Sequence, residues 1–476
     1  MRARHSALVV LFLIFSLMVA GALLLSCSNT QVEGNLDPAM GTVVVHVSDP
    51  ATCEAPQGPY SHVYVTIKDV QIHSSSSADA NASGWIDLTP NLAASPKQID
   101  LLAAGNAQCF LATLAPGTQI TAGTYQQIRL ILLDNNSGAT ISGNECTGNA
   151  ANCVVLAADS SVHTLQLSSE AQTGIKIPSG QLAGGSFVVE EGQTSSLNID
   201  FNACSSIVVQ GNGQFRLKPV LHAGEVNTVN SSISGTAVGS ANSQPISGGT
   251  VLVALEQNTN GVDRVIQQTT ADASGNFTFC PVPSGTYDVV VVALDGSNNA
   301  FAATVNTGVQ PGNSLGNVPL VTTGGTAASI TGQVTTSTGA AGTAADISLS
   351  ALQPVPGQSL SITVPLPAQS ATTLSFPTAA DASCPANTLC AGYTVMVPGA
   401  HPNVGAFSSG GTTYTQNTVD PVVFTLEGQA VVPMSGGTAD CTPPLLSTSN
   451  QFGGGSLTVT PAASLTAETL AFTGCQ

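Results

Sequence analysis

Val289-Val-Val-Val-Ala293 is an unbroken run of β-branched and small apolar residues, and its composition indicates a β-strand. The run follows Val282-Pro-Ser-Gly-Thr-Tyr287, in which Pro and Gly indicate a turn. Similar short runs with turn-forming neighbours recur at Thr42-Val-Val-Val-His-Val47, Val63-Tyr-Val-Thr-Ile67, Ile128-Arg-Leu-Ile-Leu-Leu133 and Ser186-Phe-Val-Val-Glu190. Because no apolar period of 3.6 separates these runs, the sequence predicts an all-β fold of tandem β-sandwich domains.

The strand-like runs divide into three blocks. Block one covers residues 41–224, and a polar linker separates it from block two, residues 233–321. The segment 322–329 is rich in Thr and Gly, and block three follows at residues 329–476. We therefore expect three β-rich domains.

Blocks two and three share a weak sequence similarity. Ser232-Ile-Ser-Gly-Thr-Ala-Val238 aligns with Ser329-Ile-Thr-Gly-Gln-Val334. Gly285-Thr-Tyr-Asp-Val-Val and Gly392-Tyr-Thr-Val-Met-Val are the expected later counterparts. The alignment predicts that block three is a divergent repeat of block two.

The first 26 residues have the pattern of an export signal. Arg2 and Arg4 precede an uncharged segment that ends in Leu24-Leu25-Ser26-Cys27. This ending resembles a bacterial lipobox, which implies cleavage before Cys27 and lipidation of that residue, with residues 27–40 as the lipidated cysteine and tether. An Asp directly after the lipidated cysteine would resemble an inner-membrane retention signal. This chain has Ser28 at that position, so we expect an envelope protein anchored to the outer membrane. An uncleaved anchor at residues 7–25 is the alternative.

Composition limits the partners. Nine Lys and Arg residues stand against 27 Asp and Glu, for a net charge of −18, and Arg264 is the last basic residue. The chain has too few Lys and Arg side chains to replace the counterions of nucleic-acid phosphates, so we exclude nucleic acid as a partner. The expected partners are the membrane, through the lipid on Cys27, and an extracellular glycan or an envelope protein.

The cysteine count suits an oxidising compartment. Assigning Cys27 to lipid leaves ten of the eleven cysteines, an even number that predicts five disulfides. Proximity along the chain suggests three pairs: Cys146 with Cys153, Cys384 with Cys390, and Cys441 with Cys475. The remaining Cys53, Cys109, Cys204 and Cys280 would then pair among themselves. We expect no metal at these cysteines, since no Cys-x-x-Cys occurs.

Two blocks resemble known families. Block one carries, in order, Gly41-Thr-Val-Val-Val-His-Val-Ser-Asp49, Gly84-Trp-Ile-Asp-Leu88, Gly123-Thr-Tyr-Gln-Gln-Ile-Arg-Leu130 and Phe215-Arg-Leu-Lys-Pro219. It resembles the bacterial domain of unknown function 4382, which implies an exported lipoprotein and no established activity. Block two, with Asp272-Ala-Ser-Gly-Asn-Phe277 and Val282-Pro-Ser-Gly-Thr-Tyr-Asp-Val289, resembles the carboxypeptidase regulatory-like β-sandwich. The resemblance implies a carbohydrate-binding-like fold, which describes architecture only.

A few side chains are candidates for ligand contacts. Trp85 and Tyr414 are weak candidates for stacking on a sugar, and packing is the competing interpretation for Trp85. Asp134 and Asn136 lie in an oxygen-rich loop that calcium could use, although a turn explains the same residues. Tyr125 and Tyr287 both follow Gly-Thr at a strand start, which predicts structural tyrosines whose hydroxyls bond to the backbone.

The sequence contains no recognisable catalytic motif. We therefore expect no catalytic residues and no cofactor, and we predict a binding or adhesion role, with extracellular glycan as the ligand class. A structural scaffold in an envelope complex is the alternative. A glycan hydrolase would need paired carboxylates in one cleft, such as Glu190, Glu191 and Asp200.

Overall fold

The computed structural model describes residues 38–49, 59–78, 81–103, 109–167, 174–209, 213–218, 220–226, 232–366, 373–375, 383–419, 421–434, 437–448 and 457–475. The chain divides into two compact units, Met1–Ala39 and Met40–Gln476, and the strands belong to the second. The predicted signal peptide, Cys27 and most of the tether lie outside the described residues. None of the helices within the described ranges has the length and apolarity that crossing a bilayer requires.

Block one consists of short strands with one helical turn, α1 (Ala203–Ser206), and two 3-10 turns, Ser179–Gln181 and Ala183–Gly185. Its strands are β1 (Met40–Ser48), β2 (Tyr60–His73), β3 (Ile86–Asp87), β4 (Lys97–Asp100), β5 (Ala112–Thr121), β6 (Gly123–Tyr125), β7 (Gln127–Leu132), β8 (Cys153–Leu156), β9 (Val162–Gln166), β10 (Ile175–Pro178), β11 (Phe187–Val189), β12 (Thr194–Phe201), β13 (Ile207–Val209), β14 (Phe215–Leu217) and β15 (Leu221–Glu225).

Two sheets enclose the core of block one. One has the strand order β15-β12-β1-β5, and the other has the order β10-β7-β2-β8-β9-β14-β13 with β3 and β4 against β2. On β1, Val43, Val45 and Val47 are fully buried in this core, while His46 and Ser48 alternate with them and face the other side. The first sheet therefore has one apolar face and one polar face.

Blocks two and three continue the all-β pattern. Block two contains β16 (Ile233–Gly239), β17 (Thr250–Thr259), β18 (Val262–Thr270), β19 (Asn276–Phe279), β20 (Tyr287–Leu294), β21 (Asn299–Val309) and β22 (Ser314–Leu320), and β23 (Thr322–Thr326) follows it. Block three contains β24 (Ala328–Thr336), β25 (Asp346–Pro354), β26 (Ser361–Val364), β27 (Thr373–Ser375), β28 (Leu389–Val397), β29 (Asn403–Ala406), β30 (Thr415–Gln416), β31 (Val423–Met434), β32 (Gly437–Thr448), β33 (Leu457–Thr458), β34 (Ser464–Thr466) and β35 (Leu470–Phe472).

One large sheet crosses from block two into block three. Its strand order is β30-β29-β21-β20-β17-β18-β26-β25-β31-β32, because β18 pairs with β26 and β21 pairs with β29. Val289 and Val291 of β20 belong to the core beneath β19-β16-β22, whereas Val290 and Val292 belong to the core beneath β28-β24-β34. A strand buried on both faces has no solvated side, which explains the unbroken valine run.

The first strands of blocks two and three sit in similar surroundings. β16 pairs antiparallel with β19 and parallel with β22, and β24 pairs antiparallel with β28 and parallel with β34 and β35. The ring of Phe277 covers Gly235, and the ring of Tyr393 covers Gly332 in the same way, so neither glycine has room for a Cβ. The counterpart of Tyr393 is therefore Phe277, and the expected alignment of Tyr393 with the segment around Tyr287 is wrong.

The two corner tyrosines behave as the sequence predicts. The Tyr125 hydroxyl donates to the Thr121 carbonyl at 2.6 Å, and the Tyr287 hydroxyl donates to the Pro283 carbonyl at 2.9 Å. Both rings are buried, and burial raises the pKa of Tyr287. The Tyr287 hydroxyl thus ties the start of β20 to the turn before it, and the Tyr125 hydroxyl ties the end of β6 to the end of β5.

We expect Tyr287→Phe to lower the free energy of unfolding by about 1 kcal/mol, because the buried Pro283 carbonyl loses the hydrogen bond from this hydroxyl while the packing is kept. Chemical denaturation measures the change. Tyr64→Phe is the matched control, since this half-buried ring stacks on His62, and its effect should stay below about 0.5 kcal/mol. Equal effects of the two variants would contradict the tether.

Four disulfides are present in the described residues. Three join the pairs named from the sequence: Cys146–Cys153, Cys384–Cys390 and Cys441–Cys475. The fourth, Cys109–Cys280, links block one to block two. Its predicted companion pair includes Cys53, which lies outside the described residues. Disulfides of this number are typical of proteins outside the cytoplasm.

Candidate functional site

A polar cleft opens where β21 of block two meets β29 and β30 of block three. Its volume is about 480 Å³, within the range of small-ligand sites. None of the described residues that line it is charged, and the hydroxyl and amide groups come from Thr307, Gln358, Thr413, Thr415, Gln416 and Asn417. Such a surface offers neutral hydrogen-bond donors and acceptors together with short apolar contacts.

Three carboxyl groups gather beside this cleft. Glu256 lies opposite Asp288 in the β17–β20 pair, and Asn258 lies opposite Asp263 in the β17–β18 pair. Residues 256 and 258 share one face of β17, so the three carboxyl groups lie on the same side of the sheet. The Gly308 N–H donates to Asp288 Oδ1 at 2.9 Å, and the preceding residue, Thr307, lines the cleft.

Burial changes the protonation of this cluster. It raises the pKa of Asp263 to about 7 and that of Glu256 well above its usual range, and neighbouring carboxylates add to both shifts. For Asp263, the neighbouring carboxylate that adds to the rise in pKa is Asp288. Block three seals the cluster, because the Thr363 N–H donates to Glu256 Oε2 at 3.1 Å.

The contact between blocks one and three is ionic and buried. Arg216 donates to both carboxylate oxygens of Asp346, one of them at 2.7 Å, and both residues are less than a tenth exposed. Two residues further along each segment, Lys218 Nζ donates to Ser348 Oγ at 2.6 Å. Burial lowers the pKa of Lys218 to about 8, although the Asp346 carboxylate opposes this shift.

A second ion pair joins blocks two and three. Arg264 of β18 donates to both carboxylate oxygens of Glu427 of β31, one of them at 3.2 Å. The Glu427 side chain is buried, and the Arg264 side chain is about a third exposed. The Cys109–Cys280 disulfide joins blocks one and two, the Arg216–Asp346 pair joins blocks one and three, and the Arg264–Glu427 pair joins blocks two and three. Each pair of blocks therefore has a covalent or ionic link.

The sequence did not identify these linking residues. Arg216 and Lys218 lie in the run Phe215-Arg-Leu-Lys-Pro219, and Arg264 is the last basic residue of the chain. The scarcity of Lys and Arg was the available signal: a chain with nine basic residues has few means of neutralising a buried carboxylate.

Trp85 is half-buried and one face of its ring is covered. The Arg129 guanidinium lies 4.2 Å from the Trp85 ring centroid, and the His73 ring lies 5.2 Å away. Arg129 is itself held by Gln71, whose Oε1 accepts from Arg129 Nε at 2.8 Å. These contacts favour the packing interpretation, in which Trp85 belongs to a cation–π arrangement.

Tyr414 lies next to the cleft and does not line it. Thr413 and Thr415 line the cleft, while the Tyr414 hydroxyl donates to Asn306 Oδ1 at 2.5 Å. Burial raises the pKa of Tyr414. The Tyr414 hydroxyl therefore bonds to Asn306 of β21 and is not part of the cleft lining.

Asp134 and Asn136 form a turn. The Asn136 N–H donates to Asp134 Oδ1 at 2.7 Å, and the Ser137 N–H donates to the Asp134 carbonyl at 3.1 Å. Both residues are exposed, and the turn follows the end of β7. Within the described ranges, no group of three or more His, Cys, Asp or Glu side chains is arranged as a metal site.

The carboxylates named for a hydrolase do not meet. Glu190 and Glu191 are exposed between β11 and β12. Asp200 is buried near the C-terminal end of β12, opposite Ser48. It lies about 20 Å along the strand from the N-terminal end of β12, which Glu190 and Glu191 precede. The prediction that the chain is not an enzyme stays a prediction.

A search of curated proteins found no match. Among solved structures, the chain is similar to the Bacillus anthracis TIE protein, with 9% identity, 91% of this chain and 50% of that chain covered, and a TM-score of 0.15. The chain thus spans about half the length of that protein.

Two further solved structures are similar over part of the chain. A candidate adhesin from Bacteroides ovatus shows 11% identity, coverage of 49% of this chain and 88% of that chain, and a TM-score of 0.16. The shaft pilin SpaA from Lactobacillus rhamnosus GG shows 9% identity, coverage of 60% and 98%, and a TM-score of 0.17. No functional property follows for this chain from likenesses at these scores.

A family model covers the first block. It matches residues 40–219 and is described as Domain of unknown function (DUF4382). This match confirms the resemblance to that family predicted for block one.

Proposed function

We propose that this chain is an exported cell-envelope protein, lipid-anchored through Cys27, that binds a neutral polar ligand in the cleft between blocks two and three. The single observation that carries the ligand proposal is the uncharged lining of this 480 Å³ cleft. In a chain with a net charge of −18, a cleft whose described lining residues are all uncharged favours an uncharged ligand over an ionic one.

An extracellular glycan suits the cleft best. Its hydroxyl groups are donors and acceptors, which match the threonine hydroxyls and the amides of Gln358, Gln416 and Asn417. The apolar part of the lining, which includes Val355 and Pro402, can contact sugar C–H groups.

The test is a glycan array probed with the purified protein and with Ala406→Trp. Ala406 is exposed and lines the cleft, so an indole at this position fills part of the cleft. We expect glycan binding by the unmodified protein and a loss of at least about tenfold, or 1.4 kcal/mol, in Ala406→Trp.

The matched control is Ala139→Trp, at an exposed position in the block-one turn after Asp134. It should bind like the unmodified protein. Equal binding by Ala406→Trp and the control would place glycan contacts elsewhere and overturn the cleft assignment. Absence of binding to every polysaccharide would overturn the glycan proposal itself.

A scaffold in an envelope complex is the second candidate function. The observation that favours it is the lack of an aromatic binding platform: none of the Trp, Tyr and Phe side chains in the described residues is exposed. The links between every pair of blocks also suit a rigid structural part. Absence of binding on the glycan array, together with cross-linking of the protein to envelope partners, would support this role.

A further inference from the structure

The polar face of the β15-β12-β1-β5 sheet is covered by block two. His46 and Ser48 of β1 lie opposite Asn198 and Asp200 of β12, so these side chains share this face. Block two approaches at the edge strand β15, where the Ser284 N–H donates to the Glu225 carbonyl at 3.0 Å. The Cys109–Cys280 disulfide fastens the two blocks together.

A hydrogen-bonded network lies in this contact. Asp200 Oδ1 accepts from Ser48 Oγ at 2.9 Å and from Gln267 Nε2 of block two at 3.3 Å. Asn198 Nδ2 donates to Ser48 Oγ at 2.8 Å. The neighbouring carboxyl, Asp49, accepts the Ala203 N–H on Oδ2 at 3.2 Å.

Four side chains at this contact, three of the network and the neighbouring Asp49, each keep one oxygen that has no hydrogen-bond partner in the protein. These buried atoms are Asp49 Oδ1, Asn198 Oδ1, Asp200 Oδ2 and Gln267 Oε1. Asn198, Asp200 and Gln267 are only 1%, 3% and 2% exposed. Both amides donate into the network through their nitrogen, so the oxygen on the same carbon also lies at the network. Buried acceptors without donors are costly and rare.

No Lys or Arg of the described residues forms an ion pair with these oxygens. None of the ion pairs formed by the described residues includes Asp49 or Asp200. The nearest basic side chains on the sheet face are His46 and His222, the latter opposite Asp200 on β15. Burial lowers both pKa values, that of His222 to about 4, so both rings are neutral at pH 7.

Burial also opposes two negative charges here. Asp200 is only 3% exposed, and the unbonded oxygens of Asp49 and Asp200 are both shielded from solvent. Buried carboxylates in proteins are normally paired with a positive charge or coordinate a metal. A proton satisfies one oxygen, whereas a cation satisfies several oxygens at once.

We propose that Asp49, Asn198, Asp200 and Gln267 form a calcium site at the contact between blocks one and two. Carboxylate and amide oxygens are the ligands that Ca²⁺ takes in proteins, and its flexible coordination tolerates a mixed set completed by water. Two carboxylates neutralise the two charges of the ion. Calcium would then stiffen the junction that already carries the Cys109–Cys280 bond.

The test measures the melting temperature of the purified protein in a mildly alkaline buffer with and without calcium chloride. We expect about 5 mM calcium to raise the melting temperature by about 3 °C, because extracellular calcium modules have dissociation constants of roughly 0.1–1 mM. Calorimetric titration should show one binding site. Magnesium at equal ionic strength should have little effect, since it requires a stricter octahedral geometry.

Three variants test whether calcium binds at this network. Asp200→Asn should abolish the calcium response, and Asn198→Asp should enlarge it by adding a carboxylate. Asp134→Asn is the matched control at the exposed oxygen-rich turn and should respond like the unmodified protein. A missing response in the unmodified protein, or a full response in Asp200→Asn, would overturn the proposal. Loss of the response in Asp134→Asn alone would move the calcium to that turn.

Discussion

Replacement of both Cys109 and Cys280 by serine is expected to lower the free energy of unfolding by about 5 kcal/mol. The bond joins residues 171 positions apart, and a cross-link over so long a loop removes much conformational freedom from the unfolded chain. The variant also loses the covalent link between blocks one and two. Denaturation by guanidinium chloride without a reducing agent measures the loss.

The control for this prediction is the paired replacement of Cys146 and Cys153. That disulfide closes a loop of only 7 positions within block one, so the same chain-entropy argument gives about 2.5 kcal/mol. The two double variants have the same chemical change and differ in loop length. If both lose the same stability, the long-range link is not what stabilises the molecule.

Arg216→Met is expected to cost about 3–5 kcal/mol. The Arg216 guanidinium donates a hydrogen bond to each carboxylate oxygen of Asp346. Without this guanidinium, the Asp346 carboxylate, which is only 5% exposed, loses the positive charge paired with it. The loss should appear in chemical denaturation as a lower midpoint. It should also grow at higher pH, because an unpaired buried carboxylate is tolerated only in its protonated form.

The double variant Arg216→Met with Asp346→Leu is the control for this pair. Replacing a whole buried ion pair by apolar side chains is often neutral, so most of the lost stability should return. Lys97→Met removes a basic residue whose side chain is exposed and should change stability by less than about 0.5 kcal/mol. A loss below about 1 kcal/mol in Arg216→Met would mean that the pair does not hold blocks one and three together.

Local features of the fold were predictable from the sequence. Strand positions such as Thr42–Val47 and Val289–Ala293 follow from β-branched composition, and the structure places β1 and β20 there. The tethers of Tyr125 and Tyr287 follow from a repeated Gly-Thr-Tyr pattern. All of these depend on residues within a few positions of one another, which a sequence displays directly.

Contacts between distant segments were not predictable. Arg216 and Asp346 are 130 residues apart, and nothing in either local pattern indicates the other. The sequence suggests Asp200 only as a candidate carboxylate of an open cleft, yet block two covers its strand and leaves it buried. Tertiary contacts, which have no local period, decide where the acids and the few bases of this chain lie.

The placement of the basic residues also decides where trypsin-like proteases can cut. Residues 265–476 contain no Lys or Arg, so this stretch has no cleavage site even when it unfolds. Of the sites before it, Arg216 is buried and Arg264 is held by Glu427. Nearly half of the chain is thus resistant to this class of enzymes by composition, and the block contacts protect two of the remaining sites.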